Sequence, residues 1–335
     1  MHILSITEVH RTQYDAFVST HGGELYQSYA WGLFQEKIPQ RGKFWAFAAI
    51  EGEEWMGSVL VVRHRLPFGL CWLSVARGPI LVEEYAQEAW DHLSNAIERL
   101  AIDQRAVFLR IEPPAAEKGE ELWDLNTATP WRKAHTHHHP EWTLKVDLRP
   151  TEEAILAQMK PKGRYNIKVA QKKVAVRSTH EPADVTAFYE VLKQTGERDG
   201  FGIHPEAYYQ DWVKQGHEAG WGQLFVAEHE GKIVSGIMAT FFGDTVVYYY
   251  GASDYEHRDL MAPYLLQWTA MREAKARGFH WYDFLGIANP DEPDHHWKGI
   301  TAFKEKFGGV KVRYPMAKEL VLRKWWYALK KWRAK

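Results

Sequence analysis

With 335 residues, 45% of them apolar, the chain can bury two cores of ordinary size. Its 42 basic and 43 acidic side chains cancel, which excludes binding of nucleic acid by global charge and leaves only local polyanion contacts. One cysteine, Cys71, excludes an internal disulfide and a cysteine-based zinc site, and fits a reducing cytoplasm.

No run approaches the ~20 apolar residues of a membrane-spanning helix. Met1-His2-Ile3-Leu4-Ser5 lacks the basic start and long apolar stretch of a secretory leader. Glu8 to Phe17 reads as a short helix broken at Gly22-Gly23, and Tyr26 to Lys37 as a second helix with an aromatic side. Two strands follow, Phe44–Ile50 and Trp55–Val62, joined by a turn at Glu51-Gly52-Glu53-Glu54. A third strand is expected at Leu70–Val75, a helix from about Glu83 to Ala101, and a strand at Val107–Ile111 closed by Glu112-Pro113-Pro114. His135, His137, His138 and His139 come next. With no carboxylate or cysteine set at ligand spacing beside them, they read as a polar loop or strand and not as a metal site.

The middle of the chain is its most basic stretch. Thr151 reads as an N-cap with Glu152 and Glu153 in the first turn of a helix through Ile155, Leu156 and Met159. Pro161 and Gly163 interrupt it. A second helix is expected from about Arg164, with Arg164, Lys168 and Lys172 on one face and Ile167, Ala170 and Val174 opposite. Such a row is either a solvated face or a surface that tracks phosphate or an acidic partner.

The second half repeats the order of the first. A hairpin joins Leu224–Ala227 to Ile233–Thr240, and a strand Val246–Tyr250 follows. A helix covers about Leu260 to Arg277, then a strand Phe279–Phe284. The pattern helices, hairpin, strand, helix, strand thus occurs twice, which predicts an α+β protein made of two copies of one unit. That order resembles the fold of the GCN5-related N-acetyltransferases, in tandem. Domain 1 is expected over 1–148, completed by a C-terminal helix at 317–335, and domain 2 over 149–316. An acetyl-CoA enzyme of that fold needs a glycine-rich turn whose N–H groups meet the pyrophosphate. Here His257-Arg258-Asp259-Leu260-Met261-Ala262-Pro263-Tyr264 has no glycine, and Pro263 removes a donor, so acetyl-CoA is not expected.

Asp291, Glu292, Asp294, His295 and His296 form a polar loop expected to act as a lid and not as a metal site. The tail from Lys318 mixes Leu322, Trp325, Trp326, Leu329 and Trp332 with Arg323, Lys324, Lys330, Lys331, Arg333 and Lys335. It suits both a helix packed on domain 1 and an interfacial helix on anionic lipid.

Arg164-Tyr165-Asn166-Ile167-Lys168-Val169-Ala170-Gln171-Lys172 resembles a signature of the Fem family of peptidoglycan-bridge aminoacyltransferases. Further matches follow the family order: Gln27-Ser28 with Trp31-Gly32, Arg77-Gly78-Pro79, Arg110-Ile111-Glu112-Pro113, and His139-Pro140 with Thr143 through Asp147-Leu148. Tyr250-Gly251-Ala252-Ser253, Ala262-Pro263-Tyr264 and Phe303-Lys304 with Lys306-Phe307-Gly308-Gly309 complete them. No coiled-coil arm is visible, so the chain is similar to the compact members.

The resemblance implies a cytoplasmic monomer that moves an amino acid from aminoacyl-tRNA to an amine on a peptidoglycan precursor, UDP-linked or lipid-linked, and is compatible with peripheral contact at the inner membrane face. The tRNA is a co-substrate; no cofactor and no metal are implied. Lys304 is the implied catalytic cation, with Phe303 as a wall beside it. Tyr250, Trp31 and Arg77 lie in matched motifs implied to bind the precursor. Gln35, with Lys37 two residues on, stands where members often carry a phosphate-contacting lysine. His204 stands four residues before Tyr208, where members often carry arginine, which makes precursor binding pH-sensitive. Asp283 is a candidate base or a cap. Arg164, Lys168 and Lys172 are the implied tRNA contacts.

Overall fold

A computed structural model describes residues 1–115, 131–292 and 294–333, with side chains as far as Leu329. The chain forms two compact units, Met1–Glu141 with Arg313–Lys335, and Trp142–Val312.

The first unit runs β1 (His2–Ser5), α1 (Arg11–Thr20), α2 (Tyr29–Lys37), β2 (Phe44–Glu51), β3 (Glu54–Arg65), β4 (Cys71–Ala76), β5 (Ile80–Leu81), α3 (Ala86–Asp103), β6 (Ala106–Glu112) and β7 (Arg132–Lys133). The second runs β8 (Trp142–Asp147), α4 (Glu152–Gln158), α5 (Pro161–Ala170), β9 (Ala175–Thr179), α6 (Pro182–Asp199), α7 (Glu206–Glu218), β10 (Gly222–His229), β11 (Lys232–Phe242), β12 (Thr245–Ser253), α8 (Ala262–Ala276), β13 (Trp281–Gly286), α9 (Lys298–Lys304) and β14 (Val310–Arg313). The chain then returns to the first unit as β15 (Lys318–Val321) and α10 (Lys324–Arg333).

Each unit is built on one sheet. In the first the order is β1-β2-β3-β4-β6-β15-β7, with β5 beside β3; in the second it is β14-β8-β13-β12-β11-β10-β9. Most neighbours are antiparallel, but each sheet contains a parallel pair bridged by a crossover helix: β4–α3–β6 and β12–α8–β13. α3 shows why such a helix forms here. Its buried residues Ala89, Trp90, Leu93, Ile97, Leu100 and Ala101 recur every three or four positions and pack on Val59, Val61, Leu73 and Leu109 of the sheet. In the second unit α8 places Leu266, Ala270 and Met271 against a core that includes Phe225, Ile237, Tyr282 and Phe284.

The α+β organisation in two like units is as the repeat predicts. Its edges differ from the expected ones. β8 pairs with β13, Val146 opposite Tyr282, so the second unit begins at Trp142 and not after Leu148. The tail does not begin as a helix: Lys318–Val321 is a strand, with Leu320 opposite Leu109, and the helix starts only at Lys324. No coiled-coil arm occurs among the described residues; α3 and α6 have 18 residues each and both pack on their own sheets. Among the described residues, no helix is long and apolar enough to cross a membrane.

Candidate active site

The two parallel pairs differ. β4 stays with β6 to its end, Ala76 opposite Glu112. β12 pairs with β13 only from Thr245 to Val247, opposite Trp281 to Asp283. Beyond that point the two strands part. β12 also carries a bulge: Met238 lies opposite Tyr250 but Ala239 opposite Tyr248, which leaves Tyr249 as the extra residue.

Lys304 fills the parting. It is the last residue of α9 and only 6% exposed. Its Nζ donates to the Gly286 carbonyl oxygen on β13 at 2.6 Å and lies 5.6 Å from the centre of the Tyr248 ring on β12. α9 turns Lys304 inward because Thr301, one turn earlier, is fixed by accepting from the Ala288 amide. Burial pushes the Lys304 ammonium down to about 8, with the Asp283 carboxylate acting in the opposite sense.

Asp283 does not end its strand. It sits inside β13, 2% exposed, at a break in register with β8. One carboxylate oxygen accepts from the Thr143 hydroxyl and from the Leu285 amide at 2.6 Å. The other lies 3.8 Å from Lys145 Nζ. Leu285 is in the left-handed region, φ 58°, and the Asp283 side chain holds that turn. Thr143 also donates to the Leu285 carbonyl oxygen. Thr143 and Lys145 alternate along β8 with the buried Leu144 and Val146. That alternation was the available signal for Lys145, which the sequence reading did not single out.

Phe303 is half-buried and packs on Tyr264 and Phe307, ring centres 5.1 and 5.4 Å away. Gly251 leaves no room for a Cβ beside the Tyr248 hydroxyl, so the packed Tyr248 requires glycine there. Burial raises Tyr248 to about 12 and Tyr250 well above the ordinary phenol value, which keeps both as neutral phenols. The Tyr250 hydroxyl lies 3.1 Å from that of Tyr208, and the His204 ring stacks on Tyr208 at 4.0 Å. The predicted Tyr250, Tyr208 and His204 therefore form one aromatic cluster.

The basic stretch departs from expectation. α5 begins at Pro161, a favoured first-turn position, and Gly163 lies inside it. Gly163 approaches the Lys306 backbone so closely that a Cβ would fall 2.5 Å from its carbonyl oxygen. Arg164 is not part of an exposed row: its guanidinium turns back onto the carbonyls of Leu156, Ala157 and Met159 at the end of α4. α5 stops at Ala170, so Lys172 lies in the following turn and the four-residue spacing does not form a helical face. Lys168 and Lys172 are exposed, and so is Tyr165, at 66%.

The remaining predicted residues lie in the first unit. Trp31 is 4% exposed and packs edge-on against Tyr26. Gln35 is 1% exposed and its Nε2 has no hydrogen-bond partner among the described residues. Lys37 ends α2 and is exposed. Arg77 is 2% exposed; its guanidinium stacks on Tyr314, 3.3 Å from the ring centre, and donates to the Pro140 carbonyl at 2.7 Å. Burial thus removes Trp31, Gln35 and Arg77 from open surface, while Lys37 stays on it. The histidine run does meet a carboxylate, from a distant strand: Glu112 accepts from the backbone amides of His138 and His139 and bonds the His139 ring. No group of side chains suited to a metal occurs among the described residues. The residues proposed as a lid connect β13 to α9, with Asn289 Nδ2 donating to Glu292.

Comparison with known proteins adds three likenesses. The lipid II:glycine glycyltransferase of Staphylococcus aureus is 23% identical over an alignment of 373 residues, covering 88% of each chain. The crystal structure of FemX superposes with a TM-score of 0.87 at 21% identity, over 98% of this chain and 99% of that one. A tandem GNAT protein from the clavulanic acid biosynthesis pathway superposes with a TM-score of 0.56 at 11% identity, over 95% and 98%. The fold is thus two GNAT-like domains in tandem. The FemAB family model matches residues 128–220 and 217–333, more than half of the chain, and the chain belongs to the FemAB family.

Proposed function

We propose that this protein is a cytoplasmic, monomeric aminoacyltransferase that moves an amino acid from aminoacyl-tRNA to an amine on the stem peptide of a lipid-linked peptidoglycan precursor. The observation that carries the reading is Lys304, a buried ammonium where two parallel strands part. The neutral amine attacks the ester carbonyl carbon, a C–N bond forms, and the C–O bond to the tRNA ribose breaks. The amine loses a proton and the ribose hydroxyl gains one. Between these steps the carbonyl oxygen is an oxyanion, and a preorganised cation in a water-poor site stabilises it strongly. Lys304 supplies that cation. Asp283, bonded to Thr143 and the Leu285 amide, is a positioning residue that favours the charged form of Lys304. No protein nucleophile and no cofactor are needed.

Tyr250, Tyr208 and His204 offer phenol and imidazole groups to the precursor, and Phe303 stands beside Lys304. Lys37 is an exposed cation for precursor phosphate, and Lys168 and Lys172 are exposed cations for tRNA phosphate. The lipid-linked acceptor is taken from the name of the S. aureus relative, and glycine is the first amino acid to test.

The test incubates purified protein with charged tRNA pools and, separately, lipid-linked and UDP-linked precursors, without added cofactor. Mass spectrometry is expected to show a gain of one aminoacyl residue on the lipid-linked precursor. No gain with any amino acid on either acceptor would end the transferase reading.

A further inference from the structure

One end of the first unit's sheet carries aromatic side chains that the unit leaves in solvent. The turn Pro67-Phe68-Gly69 between β3 and β4 holds Phe68 at φ 62° with the side chain 84% exposed. A bulky residue in the left-handed region is unfavourable, and an exposed phenyl ring gains nothing from the fold. Its ring centre is 5.6 Å from that of Trp326 on α10. On the same helix Trp325 is 90%, Leu329 42% and Trp326 39% exposed.

The helix is held by its other side. Tyr327 packs edge-on against Phe108, ring centres 5.5 Å apart, and its hydroxyl donates to Glu319. The Leu322 and Arg323 amides both donate to the Val107 carbonyl. Cys71, just after the Phe68 turn, pairs opposite Ala106. The turn and the start of α10 therefore share one end of the sheet. Ile102, 63% exposed near the C-terminal end of α3, lies two residues before Gln104, in the turn that leads into β6.

The sequence of the tail is one-sided in charge. From Arg323 to Lys335 six residues are basic and none is acidic, in a chain whose net charge is −1. Arg105 adds a cation and Asp103 an opposing carboxylate at the end of α3. A second copy docking isologously would set these cationic segments against each other. An anionic surface complements them.

We propose that Phe68, Trp325, Trp326 and Leu329, with Arg323 and Lys324 beside them, form a face that docks on an anionic phospholipid bilayer. The aromatic rings enter the headgroup region and the cations meet lipid phosphate, each cation contributing about fivefold in partitioning at low salt. The docking stands independently of the transfer chemistry; it rests on the preceding reading only in bringing the protein to a lipid-linked acceptor.

The test is flotation of the full chain with phosphatidylcholine vesicles containing increasing phosphatidylglycerol, read without any turnover. Bound fraction is expected to rise with phosphatidylglycerol and fall with salt. Phe68→Ser with Trp325→Ser is expected to cut binding at least about tenfold, with an unchanged melting curve because both side chains are exposed. Binding indifferent to phosphatidylglycerol, or a double variant that floats as the parent does, would overturn the proposal. So would a concentration-dependent dimer in sedimentation velocity that the double variant abolishes.

Discussion

The Lys304 ammonium donates to the Gly286 carbonyl oxygen at 2.6 Å, which ties the last residue of α9 to the last residue of β13. Beside it, Asp283 favours the charged form while burial opposes it, and the balance places the ammonium at about 8. Transfer that needs this cation is expected to lose rate as pH rises through about 8. Lys304→Met is expected to lower the single-turnover rate by about 10²–10³-fold and to remove that alkaline limb. A pH–rate profile of parent and variant checks both. An alkaline limb that survives in Lys304→Met would assign it to another group.

The same buried charge weighs on stability. The folded value lies below the ordinary lysine value of 10.5, so between about 8 and 10.5 the unfolded chain binds more protons. The contribution of Lys304 to stability therefore rises with pH through that window and is least favourable at neutral pH. Lys304→Met is expected to raise the unfolding free energy at pH 7 by about 1–3 kcal/mol, with the gain fading towards pH 10. Urea unfolding at pH 7 and pH 10 measures it. A loss of stability at pH 7 would mean that the bond to Gly286 outweighs desolvation.

The cations of the basic stretch are expected to separate by role. Arg164→Ala removes the bonds to the carbonyls that end α4 and is expected to cost about 1–2 kcal/mol of stability. Lys168→Glu with Lys172→Glu, both exposed, is expected to change stability by no more than about 0.5 kcal/mol. That double variant is expected to use aminoacyl-tRNA less well at low salt, with the difference from the parent shrinking as salt rises. Equal tRNA use at low salt would make the stretch structural throughout.

Acid is expected to loosen the first unit in two stages. Burial first, and His139 second, push His138 down to about 3, against the pull of Glu112. The unfolded chain then binds more protons between about 3 and 6.5, so stability falls as pH drops below about 6.5. Burial acts to raise the Glu112 carboxyl, but the bonds and charge of His139 and the His138 amide hold it below the usual range. Its contribution is present above its ordinary value of about 4.5 and is lost below it. His138 stacks edge-on against Trp72 and His64, so His138→Phe keeps the ring contacts. It is expected to flatten the first stage and leave the second, as followed by unfolding at pH 7, 5.5 and 4.

Local pattern carries the element order, the two hairpins and the apolar stripe of α3, since each depends on residues a few positions apart. Pattern also brought Lys304, Phe303 and Tyr250 into view through matched motifs. It did not reveal where charges end up. Lys304 in Lys-Glu-Lys looks like a surface residue, yet it is buried, because its neutraliser and its acceptor come from another strand. Arg164 looks like one of a row, yet it caps the preceding helix.

Composition, turn residues and apolar period by themselves determined an α+β chain with one unit repeated, because those signals are short-range. Only the tertiary structure decided which strand closes which sheet and which ammonium becomes the buried cation. Thr143 and Asp283 are 140 residues apart and still share a hydrogen bond. A long-range pair of that kind is set by sheet register, and register is decided when both apolar faces are buried together.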